Sequence, residues 1–377
     1  MASLIALDLP GGPGFVEALQ RAWDDGDAVF PVDQRLAAGP RRRVVEAMAP
    51  AAVVDGTDRT ALAGSRPMDP GDALVVATSG TTGDPKGVVL THAAVAASAR
   101  ATSDRLGVDR AGDRWLACLP LSHVGGLSVV TRAVITGTGL EVHPRFDAAA
   151  VLAAAGPTTL VSLVPTALGR VDAGRFKTVV LGGSAPPESL PVNVVTTYGM
   201  TETGSGVVYD GFPLAGVEVA VDGTASGRSQ IRLRGPMLLR AYRDGTSPLD
   251  PNGWLATGDA GTLTTDGRLV VHGRLSDLII SGGENVWPSA VESVLLRHPA
   301  VLEAAVAGRP DPEWGEAVVA WVTATDPDAP PSLSELRELV KSELAPWAAP
   351  RRLVLVPALP RTSIGKVRRS DLSQLEE

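Results

Sequence analysis

The sequence predicts a mixed α/β and α+β fold, with a large N-terminal domain and a small C-terminal domain. From residue 71 onward, short apolar runs alternate with longer helical stretches, which is typical of parallel-rich sheets covered by helices. The stretch 207–273 is rich in Val, Gly, Arg and turn signals, which favours a small antiparallel β-subdomain. The roughly 100 residues after Gly273 follow a strand and helix pattern of their own, which indicates a separate α+β domain.

Each predicted element of the large domain depends on a local pattern. The predicted strands are the apolar runs 73–77, 115–119, 159–163 and 178–181, and the predicted helices are 92–106 and 146–155. Residues 1–70 contain several Pro and Gly and are irregular in pattern. The large domain is predicted to span 1–275, with its β-rich part at 207–273.

The small domain is predicted to cover 276–377 and to combine a sheet with two helices. Its predicted strands are 278–280, 301–307, 317–323 and 352–356, and its predicted helices are 288–298 and 332–344. This pattern is typical of an α+β unit.

Bulk properties exclude several classes of protein. A chain of 377 residues is too long for one ordinary core, which agrees with two domains. The formal net charge of −8 argues against a protein that wraps nucleic acid, because such proteins carry a basic surplus. The single cysteine, Cys118, excludes an intrachain disulfide and fits a reduced, cytoplasmic setting. No signal-peptide pattern and no run of about 18 apolar residues is present, so we expect no membrane span.

The first motif that carries chemistry is a loop rich in glycine and hydroxyl groups, directly after an apolar strand. It reads Thr78-Ser-Gly-Thr-Thr-Gly-Asp-Pro-Lys-Gly87. Its glycines let the backbone approach phosphate oxygens, its hydroxyls can donate to them, and Lys86 adds positive charge. It is not the P-loop of NTPases, because Pro85 and Gly87 stand where that motif needs Gly and Ser or Thr. A surface turn is the alternative interpretation of this loop taken alone.

Further segments add polar groups suited to a nucleotide. The segment 198–203 (YGMTET) offers a flat tyrosine ring for a purine and, in Glu202, a hard oxygen ligand for Mg²⁺. Asp259 follows a Trp-bearing turn, where it could accept hydrogen bonds from ribose hydroxyls. Gly273-Arg274 opens a predicted hinge, and 359–366 (LPRTSIGK) presents a lysine in an exposed loop. Taken singly, each of these residues also has an ordinary structural interpretation.

Together and in this order, the motifs resemble the adenylate-forming superfamily. This superfamily contains acyl- and aryl-CoA synthetases, luciferases and the adenylation domains of peptide synthetases. The resemblance covers about 72–372 and is carried by TSGTTGDPKG, YGMTET, TGD, GRLSDLIISGGENV and LPRTSIGK. It implies an enzyme that uses ATP and Mg²⁺ to activate a small carboxylic acid as an acyl-adenylate, and then transfers the acyl group to the thiol of coenzyme A.

The resemblance also implies a role for each matching residue. Lys366, Glu202, Thr201 and Lys86 would act in adenylation, Lys366 bridging the attacking carboxylate and the α-phosphate and Glu202 binding Mg²⁺. The residues implied to hold the nucleotide or coenzyme A are Thr78, Ser79, Gly80, Thr81, Thr82, Gly83, Lys86, Gly182, Gly183, Ser184, Tyr198, Gly199, Thr201, Asp259, Arg274 and Gly283. The acid would contact Ser122, His123, Gly204, Ser205 and Gly206.

In this superfamily the small domain changes position between the two half-reactions. The resemblance implies that 276–377 is mobile, with its pivot near Ser276 and Asp277. The loop 281–285 would then replace the Lys366 loop, and Gly283 would allow close approach of the pantetheine arm. Two positions depart from the usual pattern, Gly227-Arg228 and Leu255-Ala256. The phosphate loop also begins early, so the usual N-terminal region must be shortened.

The chain length and two further segments indicate the class of acid. The short length and the segments 120–128 and 198–216 are most similar to ligases whose aromatic acid carries two carboxylates. The second carboxylate would need a cation, and either Arg132 or Arg170 could supply it, although a solvated position on a helix is the ordinary expectation for both. The alternatives are a general aryl- or medium-chain acyl-CoA ligase and an adenylation domain that loads a separate carrier protein. A homodimer is also left open.

Overall fold

The structure, a computed structural model, describes residues 2–79, 85–187, 189–223, 229–361 and 367–375, without the side chain of Ser79. It divides into two compact units. The first comprises Met1–Val219 and Leu233–Ala256, and the second comprises Ala220–Arg232 and Thr257–Glu377. The boundary predicted at residue 275 marks the pivot about which the small domain would move. Compact units do not define such a pivot, so this boundary stays a prediction.

The elements up to residue 199 alternate strands and helices. They are β1 (Leu4–Leu7), α1 (Pro13–Asp24), β2 (Ala28–Pro31), α2 (Ala38–Met48), β3 (Ala52–Asp55), β4 (Asp58–Ala61), β5 (Asp72–Ser79), β6 (Pro85–Thr91), α3 (His92–Arg105), β7 (Arg114–Ala117), α4 (Val124–Thr136), β8 (Gly139–Val142), α5 (Ala148–Ala153), β9 (Thr159–Leu163), α6 (Pro165–Leu168), β10 (Thr178–Leu181) and β11 (Val194–Gly199).

The elements after residue 199 are mainly strands, followed by two helices. They are β12 (Gly206–Tyr209), β13 (Phe212–Pro213), β14 (Glu218–Asp222), β15 (Gln230–Arg234), β16 (Ala241–Tyr242), β17 (Leu255–Leu263), β18 (Leu269–Arg274), β19 (Ile279–Ser281), β20 (Glu284–Val286), α7 (Pro288–Leu295), β21 (Val301–Asp311), β22 (Gly315–Ala324), α8 (Leu333–Glu343) and β23 (Arg352–Leu355). Short 3₁₀ turns occur at 173–175, 201–203, 275–277, 346–348 and 369–375.

Residues 2–70 form regular strands and helices, although their sequence is irregular in pattern. They supply β1 to β4 to a seven-stranded sheet whose order is β16-β6-β5-β2-β1-β3-β4. Strand β1 pairs in parallel with β2 and β3, and β2 pairs in parallel with β5. The strands β1 to β4 are only four residues long. Such short strands between Pro- and Gly-containing turns leave too few positions for a period to show.

A second seven-stranded sheet positions most of the predicted site segments. Its order is β13-β12-β11-β10-β9-β7-β8, and the pairs from β8 to β11 are all parallel. The parallel-rich architecture predicted from the sequence is therefore confirmed. The carboxyl ends of β7, β10 and β11 lead into 118–123, 182–184 and 200–203. Because these strands are parallel, the three segments lie at one edge of the sheet, where open α/β sheets bind their ligands.

The β-rich part and the tail also follow the predicted pattern. Strands β14, β15, β17 and β18 form a four-stranded sheet, in which β17 and β18 make an antiparallel hairpin. In the tail, β19 to β23 form a five-stranded sheet that α7 and α8 cover around a common core. No helix in the described part of the chain is both long enough and apolar enough to cross a bilayer.

Arg243 links the start of β6 to the end of α2. Its guanidinium is 7% exposed and donates hydrogen bonds to the carbonyl oxygens of Met48 and Pro67, both at 2.9 Å, and to those of Ala49 and Arg66. Its backbone N–H donates to the carbonyl oxygen of Gly87 at 2.6 Å. A Cβ at Gly87 would lie 2.6 Å from Met48 Sδ and 2.8 Å from Arg243 Cβ, so only glycine allows this close packing.

We expect Arg243→Gln to destabilise the first unit by about 3 kcal/mol. The shorter amide cannot reach the carbonyl groups that the guanidinium bonds, and buried polar groups left without a partner cost free energy. Chemical denaturation measures the change. Arg42→Gln is the matched control, because Arg42 is exposed and pairs with Glu46 at 3.7 Å. Equal stability of the two variants would contradict the structural role of Arg243.

Candidate active site

The phosphate loop connects two antiparallel strands of the first unit. Thr78 on β5 lies opposite Lys86 on β6, and its hydroxyl donates to the carbonyl oxygen of Lys86 at 3.4 Å. The Lys86 amine lies 5.3 Å from the centre of the Tyr242 ring, within the range of a cation–π contact. Of the other predicted loop residues, Ser79 ends β5, and Gly80, Thr81, Thr82 and Gly83 lie outside the described residues.

Tyr198 and Gly199 end β11 at an irregular pairing with β12. The register shifts between these two residues, and a Cβ at Gly199 would collide with the carbonyl oxygen of Ser205. The chain then forms the short 3₁₀ turn Thr201–Thr203, in which Thr203 is fully buried. The backbone N–H of Met200 donates to the Thr203 hydroxyl at 2.9 Å. Thr203 therefore anchors the turn, which leaves Thr201 and Glu202 partly accessible.

Glu202 makes a hydrogen bond that the sequence did not indicate. Its Oε1 accepts a hydrogen bond from the Tyr242 hydroxyl at 3.1 Å, and its carbonyl oxygen accepts one from the Leu239 N–H at 2.8 Å. Burial, together with the charge and hydrogen bond of Glu202, raises the pKa of Tyr242 to about 12. Tyr242 therefore contacts both Lys86 and Glu202, and so connects the two predicted phosphate-binding segments.

The surroundings of Glu202 suit magnesium held together with a nucleotide. In the described ranges, no group of three or more His, Cys, Asp or Glu side chains could hold a metal ion. Mg²⁺ usually retains waters and is held by one or two carboxylates together with substrate phosphates. A single carboxylate at Glu202, close to the phosphate loop, fits that requirement.

The predicted adenine segment, 182–184, follows β10 and lies against β11. A Cβ at Gly182 would be 2.6 Å from Thr197 Oγ1, so glycine is required for this close approach. The same Thr197 hydroxyl donates to the carbonyl oxygen of Leu181 at 3.2 Å. Gly182 is partly exposed, and Gly183 and Ser184 are exposed. The fold therefore places 182–184 beside the strand that carries Tyr198, as the predicted adenine pocket requires.

Ser122 and His123 lie where β7 leads into α4. His123 is the residue before α4, and its Nε2 lies 2.8 Å from Arg35 Nη2 and 3.5 Å from Asp33 Oδ2. Burial opposes ionisation of Asp33, but the hydrogen bonds and the positive charge of Arg35 outweigh it and hold the pKa of Asp33 well below its usual range. The Ser122 hydroxyl is buried and has no hydrogen-bond partner among the residues described. The sequence gave no signal for Asp33 or Arg35.

The remaining predicted acid contacts lie beside a small internal cavity. Gly204 lines this cavity, Ser205 is buried and its hydroxyl lies 2.9 Å from that of Ser98 on α3, and Gly206 begins β12. The cavity has a volume of about 10 Å³, enough for about one water. Leu74, Leu90, Ala94, Val95, Ser98, Ala99, Val124, Leu127, Ser128, Thr131, Arg132, Gly204 and Met237 line it.

Arg132 is buried in this wall, so the expectation of a solvated side chain is wrong for it. Its side chain is 2% exposed, and its guanidinium carbon lies 4.5 Å from the centre of the Trp115 ring. Burial lowers its pKa. Atoms Nε and Nη1 are buried and hydrogen-bond to none of the described residues. Arg170, by contrast, is exposed beside the Phe146 ring.

The predicted ribose contacts belong to the second unit and form one ion pair. Arg274 Nε lies 2.9 Å from Asp259 Oδ1, directly across β17 and β18, and Arg274 Nη1 donates to the Thr257 carbonyl oxygen at 3.1 Å. Asp259 is 7% exposed. Gly283 has a left-handed backbone with φ of 86°, and no described atom lies within 4 Å of the place where its Cβ would be. Lys366 lies outside the described residues.

Comparison with known proteins gives the family. Residues 51–242 match the family model described as AMP-binding enzyme. The chain belongs to the AMP-binding enzyme family. Residues 290–366 match the C-terminal domain of AMP-binding enzymes, so the two matches fall in the same order as the motifs. The resemblance to adenylate-forming enzymes is thereby confirmed.

Relatives within the AMP-binding enzymes share a narrower name. The chain is 40% identical over 375 residues to a probable 2-succinylbenzoate–CoA ligase of Mycobacterium tuberculosis, covering 88% of this chain and 92% of that protein. It is 38% identical over 335 residues to the 2-succinylbenzoate–CoA ligase of Bacillus licheniformis, covering 80% of this chain and 69% of that protein.

A solved structure with a related name has the same fold. It is the o-succinylbenzoate CoA synthetase from Bacillus subtilis, in complex with the acyl-adenylate intermediate OSB-AMP. The TM-score is 0.85 with 30% identity, and the match covers 98% of this chain and 87% of that chain. The mixed architecture predicted from the sequence is therefore that of an AMP-binding enzyme.

The contact between Tyr242 and Glu202 has a measurable pH dependence. Folding raises the pKa of Tyr242 from 10.0 to about 12, so the neutral phenol stabilises the fold fully below pH 10. This contribution is lost as the pH rises from about 10 to about 12. We expect the difference in unfolding free energy between wild type and Tyr242→Phe to shrink between about pH 8 and about pH 11. A difference that stays constant over this range would contradict the raised pKa.

Proposed function

We propose that this chain is an ATP- and Mg²⁺-dependent ligase that joins 2-succinylbenzoate (o-succinylbenzoate) to coenzyme A. The observation that carries the proposal is the 40% identity to a ligase of that name, extending over 92% of that protein. Our sequence interpretation favoured the same acid, because 120–128, 198–216 and 280–288 resemble o-succinylbenzoate–CoA ligase of menaquinone biosynthesis. The reaction forms o-succinylbenzoyl-CoA and releases AMP and pyrophosphate.

The first half-reaction must bring two anions together. The succinyl carboxylate of the acid attacks the α-phosphorus of ATP, and pyrophosphate leaves. We propose that Lys86 and Lys366 offset the repulsion between the carboxylate and the triphosphate, and that Thr201 contacts the α-phosphate. Glu202 would hold Mg²⁺, which neutralises phosphate charge when bound. The hydrogen bond from Tyr242 orients the Glu202 carboxylate near the phosphate loop.

The nucleotide needs contacts along its whole length. We propose that Thr78, Ser79 and 80–83 bind the β- and γ-phosphates, and that 182–184, Tyr198 and Gly199 form the adenine pocket. The approach of Gly182 to Thr197 supports this pocket, because it brings the two segments side by side. Asp259 and Arg274 would bind the ribose. Their ion pair holds each side chain in a fixed orientation before the nucleotide arrives.

The second half-reaction transfers the acyl group to a thiol. The thiol of coenzyme A attacks the carbonyl carbon of the acyl-adenylate, and AMP leaves with its phosphate oxygen. We propose that the loop 281–285 lines the path of the pantetheine arm at this stage. The open space around the Cβ position of Gly283 supports this assignment, since a close backbone approach needs a residue without a side chain.

The acid carries a second carboxylate on its ring, and we propose that Arg132 recognises it. Arg132 is a buried cation whose Nε and Nη1 have no hydrogen-bond partner in the described part of the chain, and it lines the cavity beside Gly204. A buried charge is stable only when it is paired and hydrogen-bonded. The hydroxyls of Ser98 and Ser128 line the same cavity and could donate to the carboxylate.

The proposal also includes a cellular location and an oligomeric state. We place the enzyme in the cytoplasm, because its single cysteine, Cys118, is buried and free, which suits a reducing compartment. A homodimer stays a prediction. The alternatives among activities are a general aryl- or medium-chain acyl-CoA ligase, whose pocket would lack the buried cation, and an adenylation domain for a separate carrier protein.

A substrate comparison tests the proposal. With coenzyme A as acceptor, kcat/KM for o-succinylbenzoate should exceed that for benzoate or octanoate by about 100-fold or more, because an acid without the second carboxylate leaves a buried cation unpaired. Pyrophosphate release and CoA-ester formation are measured separately. If benzoate or octanoate matched o-succinylbenzoate, only the ligase class would remain. Pyrophosphate release without any CoA ester would favour the carrier-loading alternative.

Replacing the buried cation tests the recognition of the second carboxylate. We expect Arg132→Met to lower kcat/KM for o-succinylbenzoate by about 100-fold, with little effect on benzoate. The free enzyme should become no less stable, since an apolar side chain removes an uncompensated buried charge. Arg170→Met, at an exposed position, is the control. Equal losses on both acids, or unchanged kinetics, would exclude Arg132 from this role.

A further inference from the structure

The loop after β2 brings a carboxylate and a guanidinium to His123. Arg35 binds Asp33 through two parallel hydrogen bonds, from Nε to Oδ1 at 2.9 Å and from Nη2 to Oδ2 at 2.7 Å. The backbone N–H of Arg35 also donates to Asp33 Oδ1 at 3.0 Å. A bidentate pair of this kind fixes the plane of the guanidinium. The Asp33 and Arg35 side chains therefore act as one rigid unit.

This unit is itself held in place from both sides of the loop. Arg41 on α2 donates to the carbonyl oxygens of Gln34 at 3.0 Å and Leu36 at 3.2 Å. The side chain of Gln34 donates to Asp8, at the carboxyl end of β1, and Arg41 forms an ion pair with the same carboxylate at 3.4 Å. The position of Arg35 is thus set by the first sheet and α2 rather than by a free loop.

The distances around His123 indicate which of its two ring nitrogens carries the proton. Arg35 Nη2 carries two hydrogens, of which one is directed to Asp33 Oδ2 at 2.7 Å and the other to His123 Nε2 at 2.8 Å. An N–H can donate to Nε2 only if that nitrogen carries no proton, so the proton of the neutral ring is on Nδ1. A bond from Nε2 to Asp33 would instead span 3.5 Å, the outer limit for a hydrogen bond.

The other ring nitrogen of His123 faces no described partner. Nδ1 makes no hydrogen bond within the described ranges, and the side chain is 31% exposed. A neutral imidazole protonated at Nδ1 presents an N–H donor in this direction. The resemblance to adenylate-forming enzymes implies that His123 contacts the acid, so the available donor would face a substrate that contains a ketone and two carboxylates.

We infer that Asp33 and Arg35 are positioning residues that orient the His123 ring with its proton on Nδ1, so that it donates a hydrogen bond to the acid substrate. The inference depends on the proposed function only for the identity of the ligand. Arg35 accounts for the tautomer by direct contact, and Asp33 accounts for the orientation of Arg35. Neither residue needs to touch the substrate.

Ring nitrogen NMR tests the tautomer without using activity. The chain has five histidines, and His123→Gln identifies the His123 signal in protein labelled with ¹⁵N-histidine. We expect a neutral ring protonated at Nδ1 in the wild type at neutral pH, and a mixture of tautomers in Arg35→Met. His143, whose Nε2 lies 2.9 Å from Glu141, is an internal reference. A wild-type His123 ring protonated at Nε2, or at both nitrogens, would overturn the inference.

Kinetics then test whether the positioning matters for the acid. In Arg35→Met and Asp33→Asn we expect KM for the acid to rise about tenfold, the effect of one misdirected hydrogen bond, with KM for ATP unchanged. Arg35→Lys should restore part of the loss, because an ammonium can still donate to Nε2. Arg42→Met, at an exposed position on α2, is the matched control.

The outcomes separate this inference from the proposed function. If the tautomer changes in Arg35→Met while KM for the acid stays the same, the positioning role is wrong. An equal rise in KM for ATP would indicate a general structural defect, which also overturns it. If o-succinylbenzoate proves a poor substrate but the preferred acid shows the tenfold rise in KM, the proposed acid is wrong and the positioning role holds.

Discussion

The buried guanidinium of Arg243 is the constraint on which much of the first unit depends. It bonds carbonyl oxygens at the end of α2 and in the segment that follows β4, while its own backbone is bonded to Gly87. This one residue thereby connects β6 to the end of α2 and to the segment after β4. Tyr242, the neighbour of Arg243 in the chain, is consequently placed beside both Lys86 and Glu202.

Local patterns predicted most of the fold because they need no knowledge of distant contacts. The helix expected at 92–106 is observed as α3, which the Thr91 hydroxyl caps by accepting from Ala94 N–H. Strands such as β9 were visible as fully buried apolar runs. The site segments were equally visible, since each motif is a short stretch whose glycines and polar groups are specified together. Their common edge follows from the parallel order of β7, β10 and β11.

What the sequence could not show are contacts between residues far apart in the chain. Glu202 and Tyr242 are 40 positions apart, and Arg35 and His123 are 88 positions apart. No local period encodes such a pairing, so neither Tyr242 nor Arg35 could be identified as part of the site. Arg132 was misjudged for a related reason: helical arginines are usually solvated, and only the packing of α4 against β7 and α3 buries this one.

If the buried Arg132 binds a substrate carboxylate, as we propose, the lifetime of the protein depends on the supply of that substrate. A carboxylate that pairs with this cation binds the folded chain and not the unfolded one, so it shifts the folding equilibrium by mass action. Proteases act on chains that open, and a filled pocket reduces the open fraction. An enzyme whose precursor is scarce would then be degraded sooner than one that is kept supplied. The abundance of the protein would follow the supply of its substrate without any dedicated regulator.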